Sequence, residues 1–119
     1  MKSENVIREK SFAFAVRIVK LYQYLCNEKK EFVLSKQLLR CGTSIGANIE
    51  ESIGGQSDKD FFSKLSISYK EARETGYWIR LLSATEYLDA KQTQSLLNDV
   101  VELCKILGKI QLTLKNRNS

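Results

Sequence analysis

Apolar residues recur every three or four positions through four long stretches of the chain, the spacing of amphipathic helices. In the first stretch Ile7, Phe14, Ile18, Leu21 and Leu25 keep this step, with Ser11 in the missing place. The pattern predicts a helix from about Glu4 to Cys26, capped by Ser3. A second apolar line runs beside it through Phe12, Val16, Val19, Tyr22 and Cys26. One line is enough to pack a helix inside a monomer, and two imply burial on two sides. The second line covers either a partner subunit or a groove of its own bundle. Arg8, Lys10, Arg17 and Lys20 occupy the remaining face.

The stretch NEKKEFVL, residues 27–34, is polar and reads as a connection anchored by Phe32 and Val33. Ser35 is the expected N-cap of the second helix, and Gly54-Gly55 its stop. Leu38, Ile45, Ile49 and Ile53 form its apolar line, with Gly42 at the missing step. Gly42 and Gly46 each cost about 0.5–1 kcal/mol relative to alanine in a helix interior. Thr43, Ser44 and Asn48 weaken the helix further. A chain tolerates such residues where another element must come close. Gly42, Gly46 and Ala47 are therefore expected to admit a neighbouring helix, and Asn48 to have a specific polar partner.

Ser57 is the expected cap of a third helix, with Asp58 and Asp60 in the first turn, where the helix dipole favours anions. The helix should run to about Ser83. Phe61, Leu65, Ser68, Ala72, Thr75, Ile79 and Leu82 form its inward line, whose small middle is expected to face the small middle of the second helix. Phe62, Tyr69, Tyr77, Trp78 and Leu81 add bulk outside that line. Asp89 caps a fourth helix reaching about Lys115, with the line Leu96, Val100, Leu103, Leu107, Ile110 and Leu114. The tail KNRNS is basic and expected to fray. Short turns between long amphipathic helices give an all-α, antiparallel up-down-up-down four-helix bundle, its second and third helices a tight hairpin. It should be at least four-fifths helical. The 119 residues make one domain, 1–119.

Composition sharpens this picture. There is no proline to break a helix. The three cysteines are odd in number and widely spaced, as in a reduced cytoplasmic protein. Histidine is absent, which removes the commonest general base and the commonest transition-metal ligand. The start, MKSENVIREK, lacks the apolar segment of a signal peptide, and no apolar run approaches the ~18 residues of a membrane span. A net charge of +5 permits nucleic-acid contact.

Two blocks of the sequence resemble a known family. The first is Leu39-Arg40-Cys41-Gly42-Thr43-Ser44-Ile45-Gly46-Ala47-Asn48-Ile49-Glu50-Glu51, in which Arg40, Ser44, Asn48, Ile49 and Glu51 match the family pattern. The second is Asp60-Phe61-Phe62, Lys64-Leu65-Ser66-Ile67, Lys70-Glu71-Ala72, Glu74-Thr75 and Tyr77-Trp78. Ser68 stands where alanine is commoner. The family is that of the small bacterial four-helix-bundle proteins encoded in intervening sequences of 23S rRNA genes, sometimes labelled ribosomal. The resemblance implies the same fold and closed homo-pentamers. Relatives serve as accessory proteins of diversity-generating retroelements, where a basic pentamer binds nucleic acid and a reverse transcriptase.

The candidate chemistry lies in Glu50, Glu51, Glu71 and Glu74. Facing carboxylates suggest a di-iron site, but such sites add a Glu-x-x-His motif on two helices, and this chain has no histidine. An all-carboxylate Mg²⁺ or Mn²⁺ site is a further reading. The stronger reading is a structural polar layer of Arg40, Asn48, Glu51, Glu71, Arg73 and Glu74, with Lys70 nearby, that sets helix register. No nucleophile–base pair and no phosphate-cradling glycine loop is legible, so neither catalysis nor a cofactor is expected. Tyr69-Lys70 and Tyr77-Trp78-Ile79-Arg80 interleave rings with cations, a pattern of core or interface packing or of stacking on single-stranded bases. The cations assigned to nucleic acid are Arg8, Lys10, Arg17 and Lys20 on the first helix and Lys105, Lys109, Lys115 and Arg117 on the fourth. Two functions follow: a non-enzymatic homo-oligomer that binds RNA or DNA through summed positive charge, or an oligomeric scaffold for a protein partner.

Overall fold

The computed structural model describes residues 2–117, the side chain of Ser3 excepted. Among the described residues, four helices take up more than four-fifths of the chain: α1 (Lys2–Asn27), α2 (Leu34–Ile53), α3 (Asp58–Ala84) and α4 (Ala90–Arg117). Ser3 lies inside α1 and not at its cap position; its side chain is outside the described residues. Lys115 and Arg117 belong to α4, so the expected frayed tail is helical as far as Arg117; residues 118 and 119 lie outside the described ones.

Cross-helix pairs run in opposite directions. On α2 and α3, Arg40 meets Glu71 and Glu74, Ile45 meets Ser68, and Glu51 meets Lys64. On α3 and α4, Asp58 meets Arg117 and Ser66 meets Gln111. α2 packs between α1 and α3, and α4 closes against α3 and, less closely, against α1. The four predicted apolar lines meet in one core. Ile7, Phe14, Ile18 and Leu25 join Leu38, Ile45, Ile49, Leu65, Ile79, Leu82 and the complete α4 line. Leu21 and Phe61 pack against it half-buried.

The α2 line ends sooner than its spacing predicts. Ile53 is exposed and Ser52 is buried instead, its hydroxyl donating to the Ile49 carbonyl at 2.6 Å. At the last turn the hydroxyl finds a carbonyl inside its own helix, so burying it leaves no polar group unpaired.

Three of the four helix starts have a side-chain account. Ser57 accepts the Asp60 N–H at 3.1 Å. Asp89 and Gln92 form a reciprocal capping box: Asp89 Oδ1 accepts the Gln92 N–H at 2.7 Å, and Gln92 Oε1 accepts the Asp89 N–H at 3.1 Å. The start of α2 departs from expectation. Ser35 is inside the helix and buried, and the cap comes from Glu31 upstream. The Glu31 carboxylate accepts the N–H groups of Val33, Leu34 and Ser35 at 3.1, 3.0 and 2.6 Å. Ser35 returns its hydroxyl to the Glu31 carbonyl at 2.8 Å. A long side chain reaching forward to the first turn supplies what a one-residue cap was expected to supply. Phe32 and Val33, the expected anchors, are exposed at 52% and 72% because this turn is held by Glu31 instead.

The small residues of α2 do admit a helix, but it is α1. A β-carbon on Gly42 would lie 2.8 Å from two carbons of Ile18, and one on Gly46 would lie 3.4 Å from the Ser11 carbonyl and hydroxyl oxygens. Ala47 is exposed and takes no part. The small residue that approaches α2 from α3 is Ser68, whose hydroxyl donates to the Ile45 carbonyl at 2.9 Å.

Candidate nucleic-acid interface

Ion pairing divides the predicted cations into two groups. Arg8 donates to Glu50 at 2.6 Å, Lys10 to Glu102 at 3.2 Å, and Arg17 to Asp99 at 2.6 Å. Arg117 meets Asp58 at 2.6 Å. These four stitch α1 to α2, α1 to α4, and α4 to α3, and their charge is largely spent on neighbouring helices. Arg17 also reaches the Ser95 hydroxyl at 3.1 Å, so it bridges the loosest seam of the bundle. Lys20, Lys105, Lys109 and Lys115 are exposed and have no ion pair among the described residues.

The predicted internal polar layer separates into surface features. Arg40 is half exposed and donates to Glu71 at 3.3 Å and to Glu74. Glu74 also accepts the Trp78 indole N–H at 2.9 Å. Glu51 pairs instead with Lys64 at 3.3 Å, at an exposed position. Asn48 donates to the Ser44 carbonyl of its own helix at 2.8 Å and joins no layer. Arg73 points the other way. It lies near Cys104 on α4: burial pushes that thiol up, and the Arg73 charge pulls it part of the way back. The reason is angular. Arg73 is two residues from Glu71 and one from Glu74, so it leaves the helix on a different side.

With Arg73 placed toward α4, an uncompensated basic face becomes visible. Ser66 faces α4, where it accepts the Gln111 amide at 2.8 Å. Lys70, Arg73, Tyr77 and Arg80 follow Ser66 at steps of three and four, so they share its side of α3. All four are exposed, and none of the three cations has an ion pair among the described residues. Val101, Lys105, Leu112 and Lys115 form the matching exposed line on α4. Glu71 and Glu74 lie on the α2 side of α3, and Asp99 and Glu102 on the α1 side of α4. No acidic residue follows Glu102 in the sequence. Lys70 and Arg73 were expected to serve the carboxylate cluster. Arg80 was legible only as a cation beside aromatic residues.

Of the aromatic residues outside the α3 line, Phe62, Tyr69 and Trp78 are half-buried against the core. Tyr77 remains 50% exposed. Its ring meets Trp78 edge-on, centroids 5.1 Å apart and planes at 80°. On α1 the second apolar line divides: Phe12 is 72% exposed and Val16 and Val19 are also exposed, whereas Tyr22 and Cys26 are half-buried, Cys26 against Ser35 of α2. Only its first part, Phe12 to Val19, covers no groove of its own bundle. An open groove lined by Asn5, Arg8, Glu9, Phe12, Ala13 and Glu50 adjoins it.

Among the described residues, no group of histidine, cysteine or acidic side chains is arranged to hold a metal ion, and every buried side-chain nitrogen or oxygen has a partner. Cys41 is fully buried, and burial is the main cause that pushes its thiol up to about 11. No described helix is long and apolar enough to cross a membrane.

Among solved structures, the chain is similar to a protein of unknown function from the S23 ribosomal protein family of Bacteroides thetaiotaomicron. The two share 55% identity with a TM-score of 0.91, over 92% of this chain and 97% of that one. No curated protein matches. The model of the 23S rRNA-intervening sequence protein family matches residues 3–109. Fold, sequence blocks and that match agree: the chain belongs to the 23S rRNA-intervening sequence protein family.

Proposed function

We propose that this protein is a non-enzymatic, cytoplasmic homo-oligomer that binds nucleic acid, with little sequence preference, through a basic surface. The observation that carries the reading is the asymmetry of ion pairing. Acidic residues neutralise the cations at the α1–α2 and α1–α4 seams and Arg117 at the end of α4, whereas among the described residues none pairs with Lys70, Arg73, Arg80, Lys105 or Lys115 on the outer side of α3 and α4. Phosphate contacts release counterions and do not read bases, so such a surface binds by charge and not by sequence.

Self-association is supported by the exposed line Phe12, Val16 and Val19, which α1 leaves outside its own core. A pentamer is what the resemblance implies. Five chains at +5 each carry +25 on one body. The same apolar line and its groove favour the second reading, an oligomeric scaffold that docks a protein partner and no nucleic acid.

Fluorescence anisotropy with labelled RNA and DNA oligonucleotides, from ~50 mM salt upward, separates the two. Affinity for both acids should fall steeply as salt rises. Light scattering should give a mass several times the 13.6 kDa protomer. An assembled protein that retains neither acid at ~50 mM salt, where phosphate contacts are strongest, is a scaffold.

A further inference from the structure

We infer that the outer face of α3 and α4 takes single-stranded nucleic acid, with Tyr77 as a stacking platform between Arg73 and Arg80. The inference rests on the nucleic-acid reading above and assigns it a surface and a strand type.

Position comes first. From Lys70 to Arg80 is ten residues of helix, about 15 Å. Along that line the order is Lys70, Arg73, Tyr77, Arg80, so the ring has cations on both sides. Lys105 and Lys115 continue the positive charge on the neighbouring helix. A base stacked on Tyr77 thus has cations within reach of the phosphates before and after it. That combination of charge and ring is how non-specific single-strand sites work.

Orientation is the second point. An exposed tyrosine on a helix is ordinarily free to change rotamer. Here the Tyr77 ring leans on Trp78, and the Trp78 indole is tied to Glu74, which Arg40 also holds. The Arg40–Glu74–Trp78 chain therefore fixes the surface against which Tyr77 rests. Glu74, one carboxylate of the cluster that suggested a register layer or a metal site, becomes the support of the ring. A fixed ring gives up less entropy when a base lands on it.

Strand type follows from the chemistry of stacking. In a duplex the base faces are already covered by their neighbours, so an exposed ring gains nothing from them. An unpaired base offers a free face of any sequence. The cations alone would hold both kinds of strand, and Tyr77 favours the single one.

The test uses the full chain, with 15-nucleotide oligo-dT, oligo-U and a blunt duplex of mixed sequence as probes. Trp78 is the chain's one tryptophan, so its fluorescence reports on this site. Single strands should bind more tightly than the duplex and quench Trp78. Tyr77→Ala should weaken single-strand binding roughly tenfold and leave duplex binding unchanged, because stacking is the contact removed. Tyr77→Phe should restore it. Joint Gln substitution of Lys70, Arg73 and Arg80 should weaken both kinds of binding and flatten the salt dependence, whereas Gln substitution of the exposed Lys29 in the α1–α2 connection should change neither. Circular dichroism confirms that each variant is folded. If Tyr77→Ala binds single strands as the wild type does, or Lys29→Gln loses as much as the triple variant, the assignment is wrong while the broader reading stands. If the wild type binds no probe at ~50 mM salt, the broader reading fails and this inference with it.

Discussion

Gly42 leaves no room for a β-carbon against Ile18: an atom built there would lie 2.8 Å from both Cγ1 and Cγ2 of that side chain. Ile18 is fully buried, and a β-branched residue in a helix has one strongly preferred rotamer, so it cannot swing aside. Overpacking of this kind costs about 1–3 kcal/mol, and better helix propensity returns up to about 1. Gly42→Ala should therefore lower stability by about 1–2 kcal/mol. At Gly46 the nearest atoms are 3.4 Å away, a tight but tolerable contact. Gly46→Ala should stay within about 0.5 kcal/mol of wild type, and Gly46→Leu should lose about 1–3. Thermal melts give the order, and a Gly42→Ala protein as stable as wild type would contradict it.

The Glu31 cap makes stability depend on pH. Burial alone would raise this carboxyl's pKa, but the N–H groups of Ser35, Leu34 and Val33 outweigh it and hold the value below the ordinary 4.5. A depressed folded value means the contribution is complete above the unfolded pKa and is lost as pH falls through the folded one. Glu31→Gln should cost about 1–2 kcal/mol at neutral pH, the range of a helix cap, and the gap should close in acid. Melting curves of both proteins between pH 7 and pH 3 test this; a gap of constant size would mean the charge is irrelevant to the cap.

Arg40 is expected to matter little for folding. Its guanidinium is half exposed, and exposed ion pairs contribute about 0–1 kcal/mol. Arg40→Ala should melt within about 1 kcal/mol of wild type but shift the emission of Trp78, because Glu74 loses a holder. Unfolding of this variant would restore the internal polar layer that the spacing of α2 and α3 suggested.

Phe12 tests the assembly. It is 72% exposed in the protomer, so Phe12→Ser should change protomer stability by less than about 0.5 kcal/mol. The line it shares with Val16 and Val19 should nevertheless lose its hold on a second copy. Light scattering should show a smaller particle with unchanged helicity, and an unaltered mass would place the contact elsewhere.

The periodic spacing determined how many helices there are, their approximate ends and nearly all of the core. Those features depend on short-range geometry: a three–four repeat defines a face, and Ser57 or Asp89 caps what immediately follows it. Where a residue reaches further along the chain, spacing was not enough. Glu31 caps a helix that starts three residues later, a job that local patterns assign to Ser35. The site depended still more on tertiary structure. Arg8 and Lys105 are both cations on amphipathic helices, yet one faces Glu50 across a helix seam and the other has no ion pair among the described residues. Arg73 was grouped with Glu71 and Glu74 because they are close in the chain, but a helix turns about 100° per residue and sends it to the opposite seam. Which charges cancel is decided by which helices become neighbours, and that is a property of the packed bundle and not of any one helix.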